Sequence, residues 1–213
     1  MTVAAEWARL LDVLREVAPS TANSFRPPAS PEALARIEAL TGTVWPSELR
    51  EFFSLHDGQI DNSPAGGGSG ELLPVQHLLS LDGVADWHAM SAEVWRELAD
   101  ADTDYYEGGY DGVCVQHPNA GSTAMMFLPS YIPIAELDAY AYFCDTRPGE
   151  HHGCVREFDK YSADSHGPAW SSISAMLAGV RTCITDSLPI GYWVPVIENG
   201  ILFWEVVDNS QGP

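Results

Sequence analysis

At 213 residues the chain is long enough to bury roughly 70% of the surface its unfolded form exposes, so a core is possible without metal or disulfide staples. Thirty Asp and Glu stand against nine Arg and a single Lys, Lys160, for a net charge of −20. Such a field repels nucleic-acid phosphates and anionic lipid headgroups, which argues against direct nucleic-acid and membrane-surface partners. It attracts basic partners, but on charge alone plain solubility accounts for it.

With 46% hydrophobic residues and seven Trp, the composition is that of a globular protein rather than an acidic disordered tail. Glu6, Arg9, Asp12 and Arg15 interrupt the first fifteen residues, where a secretion signal would need an unbroken apolar core. No uncharged apolar run approaches the ~20 residues that span a bilayer. Cys114, Cys144, Cys154 and Cys183 form no C-x-x-C pair and read as reduced thiols, so the expected location is the cytoplasm.

In chain order, Trp7, Leu10, Leu11, Leu14 and Val17 share one helical face over 3–18. A Pro-rich connector from Phe25 to Ser30 follows. Ser30 can cap a second helix with Pro31 in its first position, Leu34, Ile37 and Leu40 as its stripe, and Gly42 at its end. A third helix is predicted from Pro46 to Gly58, with Leu49, Phe52, Phe53 and His56 at i, i+3, i+4 and i+7. His56 on that face reads as a hydrogen-bonded residue at the edge of the core.

Gln59 to Gly70, with Gly66-Gly67-Gly68-Ser69-Gly70, reads as a loop. It is not a phosphate loop, because no Lys-Ser/Thr follows. A longer helix is predicted over 83–99, with Trp87, Ser91, Val94, Trp95 and Leu98 on one side. Beyond an acidic, aromatic and Gly-rich stretch at 100–111, strands are predicted at 112–116, 124–128, 131–134, 140–144 and 153–158. Helical spacing returns from Ser171 to Cys183. Finally, two apolar runs, 192–198 and 201–207, flank Asn199-Gly200, the strongest short hairpin signal, and Pro195 marks an edge strand.

Helices first and strands afterwards indicate an α+β fold with the sheet built after residue 110. The expected division is a main domain over 1–185, carrying an acidic insert around 80–129, and a C-terminal extension with a β-hairpin over 186–213.

Several motifs resemble the SMI1/KNR4 (SUKH) family. Pro31-Glu32 and Thr41-Gly42 match its opening helix. Trp45-Pro46-Ser47-Glu48-Leu49-Arg50-Glu51-Phe52-Phe53 and His56-Asp57-Gly58 match its next helix and turn. Tyr131-Ile132-Pro133-Ile134-Ala135 is similar to its central strand, and Cys144-Asp145, Pro148-Gly149 and Gly153-Cys154-Val155 to its hairpin. Ser171-Ser172 before an apolar helix is similar to its close. The resemblance spans about residues 30–183. The long acidic insert and the final hairpin depart from the pattern. The resemblance implies helices packed on a mixed, largely antiparallel sheet, and a role as a binding module: toxin-neutralising immunity proteins in bacteria, adaptors in fungi.

Catalytic and metal chemistry have little support in the residues. His151-His152-Gly153-Cys154 puts three soft ligands close together, but zinc sites draw ligands from two separated clusters and no second cluster exists. Ser171-Ser172 and the cysteines lie in no nucleophile elbow. Among 30 acids, a close pair such as Asp102 and Asp104 carries no catalytic information. No catalytic residue, metal or cofactor is expected.

The charge distribution is more informative. From Glu51 to Thr146, 16 acids face one base, Arg96. Within this run Asp100, Asp102, Asp104, Glu107 and Asp111 interleave with Tyr105, Tyr106 and Tyr110. Tyr is enriched at interface centres and Asp and Glu are depleted there, so aromatic anchors ringed by carboxylates would suit a basic protein. The alternative is an acidic loop whose tyrosines plug the protein's own core. The leading expectation is a non-enzymatic immunity-type inhibitor of a basic toxin domain, with these eight residues as its contact surface. An intracellular adaptor and an undetected enzyme are the alternatives.

Overall fold

Thr2 opens the first helix, α1 (Val3–Val17), its hydroxyl accepting the Ala5 N–H at 3.3 Å. Val3, Trp7, Leu10 and Leu14 recur at helical spacing along its buried face. The chain is described here from a computed structural model covering residues 2–60 and 70–207. A short helix, α2 (Pro19–Ala22), leads to α3 (Pro31–Thr41), where Ser30 caps, Pro31 sits first and Gly42 (φ +68°) ends the helix, as the sequence predicts. Most of the Gly-rich run, residues 61–69, lies outside the described residues.

The next helix, α4 (Ser47–Phe53), is shorter than expected. The chain leaves helical geometry after Phe53 and turns at Gly58 (φ +75°), where a Cβ would lie 2.5 Å from the Leu79 carbonyl. His56 still reaches the core. After β1 (His77–Leu78), the helix α5 (Leu81–Ala101) begins two residues earlier than expected, because the Ser80 hydroxyl caps it through the Gly83 N–H.

Two predicted strands are corrected. Residues 112–116 belong to a helix, α6 (Gly109–Gln116). Alternating Val113 and Val115 suggested a strand, yet Tyr110, Val113 and Cys114 sit at i, i+3 and i+4 against the core, and Val115 is 79% exposed. Residues 124–128 form no strand either. Met125 takes φ +57°, outside the extended region, and the Asp164 carboxylate accepts the Ala124 and Met125 N–H groups that a neighbouring strand would need.

The sheet comprises β1, β2 (Tyr131–Leu137), β3 (Tyr140–Asp145) and β4 (Val155–Phe158), in that spatial order. Every pairing is antiparallel, with Tyr131 opposite Asp145 and Cys144 opposite Val155. The fold is α+β, but the sheet is not mixed, and its first edge comes from before residue 110. The register shifts between Pro133 and Ala135, where proline has no N–H to offer the ladder.

The last helix, α7 (Ile173–Asp186), starts from a Ser172 cap and packs on α1 and α4. Glu6, fully buried on α1, bonds Arg181 of α7 at 3.4 Å, and Glu48 of α4 accepts both the N–H and the hydroxyl of Ser174 at 2.9 Å. The hairpin of β5 (Trp193–Glu198) and β6 (Ile201–Val206) turns at Asn199 (φ +51°) and Gly200 (φ +75°), the geometry of a type I′ turn. It is docked, not free: the Leu202 N–H donates to Thr21 Oγ1 at 2.9 Å, and Trp204 Nε1 to the Glu71 carbonyl at 3.1 Å. Leu202 and Trp204 join the same core cluster as the helices and the sheet.

Candidate partner-binding site

The segment at 100–111 is built by its own carboxylates. At the end of α5, Asp100 turns back so that its Oδ1 accepts the Tyr110 N–H at 2.9 Å, and Asp102 accepts the Tyr105 N–H at 3.2 Å. Gly109 (φ +66°) lets the chain pass this close. A Cβ there would lie 2.5 Å from Asp100 Oδ1. The Tyr106 N–H bonds the Asp102 carbonyl at 2.9 Å, closing a turn that presents Tyr105, 67% exposed, packed edge-on against the half-buried Tyr106 at 4.8 Å.

Tyr110 lies elsewhere. It is 1% exposed, between α5 and the core, with the Arg96 guanidinium 4.4 Å above its ring. The expectation of Tyr110 as a contact residue is therefore corrected: it anchors the segment from inside, as the core-plug alternative anticipated. Burial pushes its hydroxyl well above the usual phenol range. Asp111 is tied to Arg96 at 3.0 Å. Among the described residues no base pairs with Asp100, Asp102, Asp104 or Glu107, all exposed, so with Tyr105 and Tyr106 they form a negative, aromatic-centred surface.

A group that sequence reasoning missed lies behind the sheet. Asp145 at the end of β3 accepts from Arg147 Nε at 2.9 Å and Nη2 at 2.6 Å, and from the Gly121 N–H at 2.9 Å. Asp164 accepts from Tyr131 Oη at 2.6 Å and from the Ala124 and Met125 N–H groups. Arg156 bridges them, 3.3 Å from Asp164 and 3.6 Å from Asp145, and donates to the carbonyls of Ser122, Asp164 and His166. Two arginines and two aspartates, all nearly or fully buried, thus pin the irregular 117–130 stretch and the 159–170 segment to the strands. The only trace of this in the sequence was Asp145 in the hairpin motif, since ion pairs between strand and loop residues leave no local period.

The chemical rivals fare poorly on geometry. His152 Nδ1 lies 2.9 Å from the Arg147 carbonyl oxygen, and Cys154 is buried with its thiol pushed up to about 11. Among the described residues no three His, Cys, Asp or Glu gather as metal ligands. A cavity of about 450 Å³ at the end of the sheet is lined by Thr43, Cys114, His117, Ser130 and Arg147. There burial raises the Cys114 thiol, so it is not an activated nucleophile, and Arg147 is spent on Asp145, the His117 carbonyl and Ser122.

The SMI1/KNR4 family model (SUKH-1) matches residues 28–179, well over half of the chain. The chain belongs to this family. Membership supports a protein-binding module of the immunity type in general. Compared with curated proteins, the chain has no significant match. The matched region of this SMI1/KNR4 protein takes in the α3–α4 pair, the acidic segment, the sheet and the buried Asp–Arg network, and it leaves α1 and the final hairpin outside. No described helix is long and apolar enough to cross a membrane.

Proposed function

We propose that this SMI1/KNR4 protein is a bacterial, cytoplasmic, non-enzymatic immunity-type inhibitor that binds and neutralises a basic toxin domain. The observation that carries the reading is the surface at 100–111: four exposed carboxylates without a paired base among the described residues surround the Tyr105–Tyr106 pair, on a segment fixed from below by Tyr110. Opposed charge speeds encounter with a basic partner, and the exposed Tyr105 beside the half-buried Tyr106 offers an aromatic anchor. Lys and Arg that grip phosphate on a nuclease-like domain would find carboxylates here instead. Family membership supports the immunity role.

Co-purification from the native host tests the proposal. The expected result is a stoichiometric complex with a basic domain whose toxic activity is lost on binding. Recovery of an endogenous, non-toxic partner whose own function persists in the complex would overturn it in favour of an adaptor.

A further inference from the structure

Beside the acidic segment, α5 carries an apolar stripe that none of the described residues covers. Met90, Val94 and Leu98, spaced i, i+4 and i+8, are 51%, 47% and 50% exposed. They border a cavity of about 210 Å³ whose other walls include Trp87, Trp95 and Phe158. Trp95 stands perpendicular to the Phe158 ring at 5.7 Å, and Trp87 packs edge-on against Phe127 at 5.3 Å and Phe158 at 6.3 Å, so the walls are rigid aromatic planes. A cavity this small is below the ~300–1,000 Å³ typical of small-molecule sites, but it accepts an apolar side chain.

Helical periodicity places the charge around it. At 100° per residue, Asp86, Glu93 and Glu97, all exposed, fall between the stripe and the side of α5 that carries Arg96 and Asp100. The stripe, these acids and the 100–111 surface are therefore neighbours in that order. The one base at the cavity, Lys160, is paired with Asp138 at 2.6 Å and lies over the rings of Tyr140 and Tyr161. A second copy docked with its α5 antiparallel to this one would set acidic flank against acidic flank, which like charges disfavour.

We infer that the α5 cleft receives an apolar side chain from an amphipathic, lysine- or arginine-rich helix of a protein partner, whose basic flank lies over Asp86, Glu93 and Glu97. This rests on the reading that the partner is a basic protein, and it adds the contact that limits dissociation.

The test uses a fluorescein-labelled helical peptide of Lys and Leu in amphipathic phase, with a Leu→Ser analogue and a Lys→Glu analogue, followed by anisotropy at physiological salt. The Lys/Leu peptide is expected to bind at least tenfold more tightly than either analogue. The triple variant Met90→Gln, Val94→Gln, Leu98→Gln is expected to weaken it at least tenfold with an unchanged melting temperature. Val44→Gln, an exposed apolar control outside the cleft, leaves binding unchanged. Absence of binding, or equal binding of the three peptides, overturns the inference. If the triple variant binds like wild type while Asp100→Asn, Asp102→Asn and Asp104→Asn weaken binding, the cleft assignment falls and the acidic-segment reading stands. The converse pattern keeps the cleft and removes the segment. A dimer in sedimentation equilibrium that the triple variant dissolves would also overturn the inference, assigning the face to self-association.

Discussion

Trp7 of α1 stacks on His56, with ring centroids 4.3 Å apart and planes inclined by 28°. Phe25 and Phe52 close round the same imidazole, and its Nδ1 accepts the Gly58 N–H at 3.1 Å. Burial lowers the His56 pKa to about 3.

This makes the protein acid-sensitive above the carboxylate range. Below about pH 6.5 an unfolded histidine takes up a proton that folded His56 refuses, so stability complete above pH 6.5 declines as pH falls toward 3. His88, lowered by burial, acts in the same sense. Urea unfolding should show a loss of ~1–2 kcal/mol between pH 6.5 and 5, at most ~1.4 per unit for each histidine. His56→Phe should flatten that slope while lowering stability at pH 7, because the Gly58 N–H loses its acceptor. An unchanged slope would place the acid sensitivity elsewhere.

Arg156 holds two buried aspartates, and removing it leaves Asp164 and Asp145 short of compensation. Arg156→Met should destabilise the protein by ~3–5 kcal/mol in urea unfolding. Adding Asp164→Asn should cost less than the sum of the two single changes, because the pair shares one interaction. Strict additivity would mean that the network is not coupled.

Gly58 is where sequence tolerance should be lowest. A Cβ there meets backbone atoms of Leu79 and Ser80 at 2.5–2.7 Å, in a left-handed conformation. Gly58→Ala should cost at least ~2 kcal/mol from backbone strain and steric displacement, read as a lower thermal midpoint. Gly167→Ala, with open space around it and no left-handed φ, should stay within ~0.5 kcal/mol of wild type and serves as the control.

The tyrosines of the acidic segment should separate by assay. With the partner in hand, Asp100→Asn, Asp102→Asn and Asp104→Asn together should slow association and flatten its salt dependence in surface plasmon resonance. Tyr105→Ala should speed dissociation, by ~2 kcal/mol if it is an anchor. Tyr110→Ala should cost ~3 kcal/mol of fold stability instead. Tyr110→Phe should be neutral or stabilising, since the buried hydroxyl has no hydrogen-bond partner among the described residues. If Tyr105→Ala and the aspartate changes leave both rate constants alone, the contact surface lies elsewhere.

Local signals set by a few neighbouring residues were legible in the sequence. The helical stripe over 3–18, the Ser30-Pro31 start and Gly42 stop, the Asn199-Gly200 turn and the family motifs from Pro31 to Val155 pointed to the α+β class, because caps, turns and helical stripes are decided within about one turn of chain. The errors fell where local preference was divided. Val113-Cys114-Val115 suits a strand or a helix, and only the fit of Tyr110 and Val113 against α5 and the core selected the helix. At 124–128 the Asp164 carboxylate, forty residues on, takes the backbone N–H groups that a neighbouring strand would have taken. Whether Tyr110 faces solvent or core, and whether Met90, Val94 and Leu98 are covered, likewise depends on which distant surface arrives. Such long-range pairing leaves no mark in a window of sequence, so the tertiary structure alone decided it.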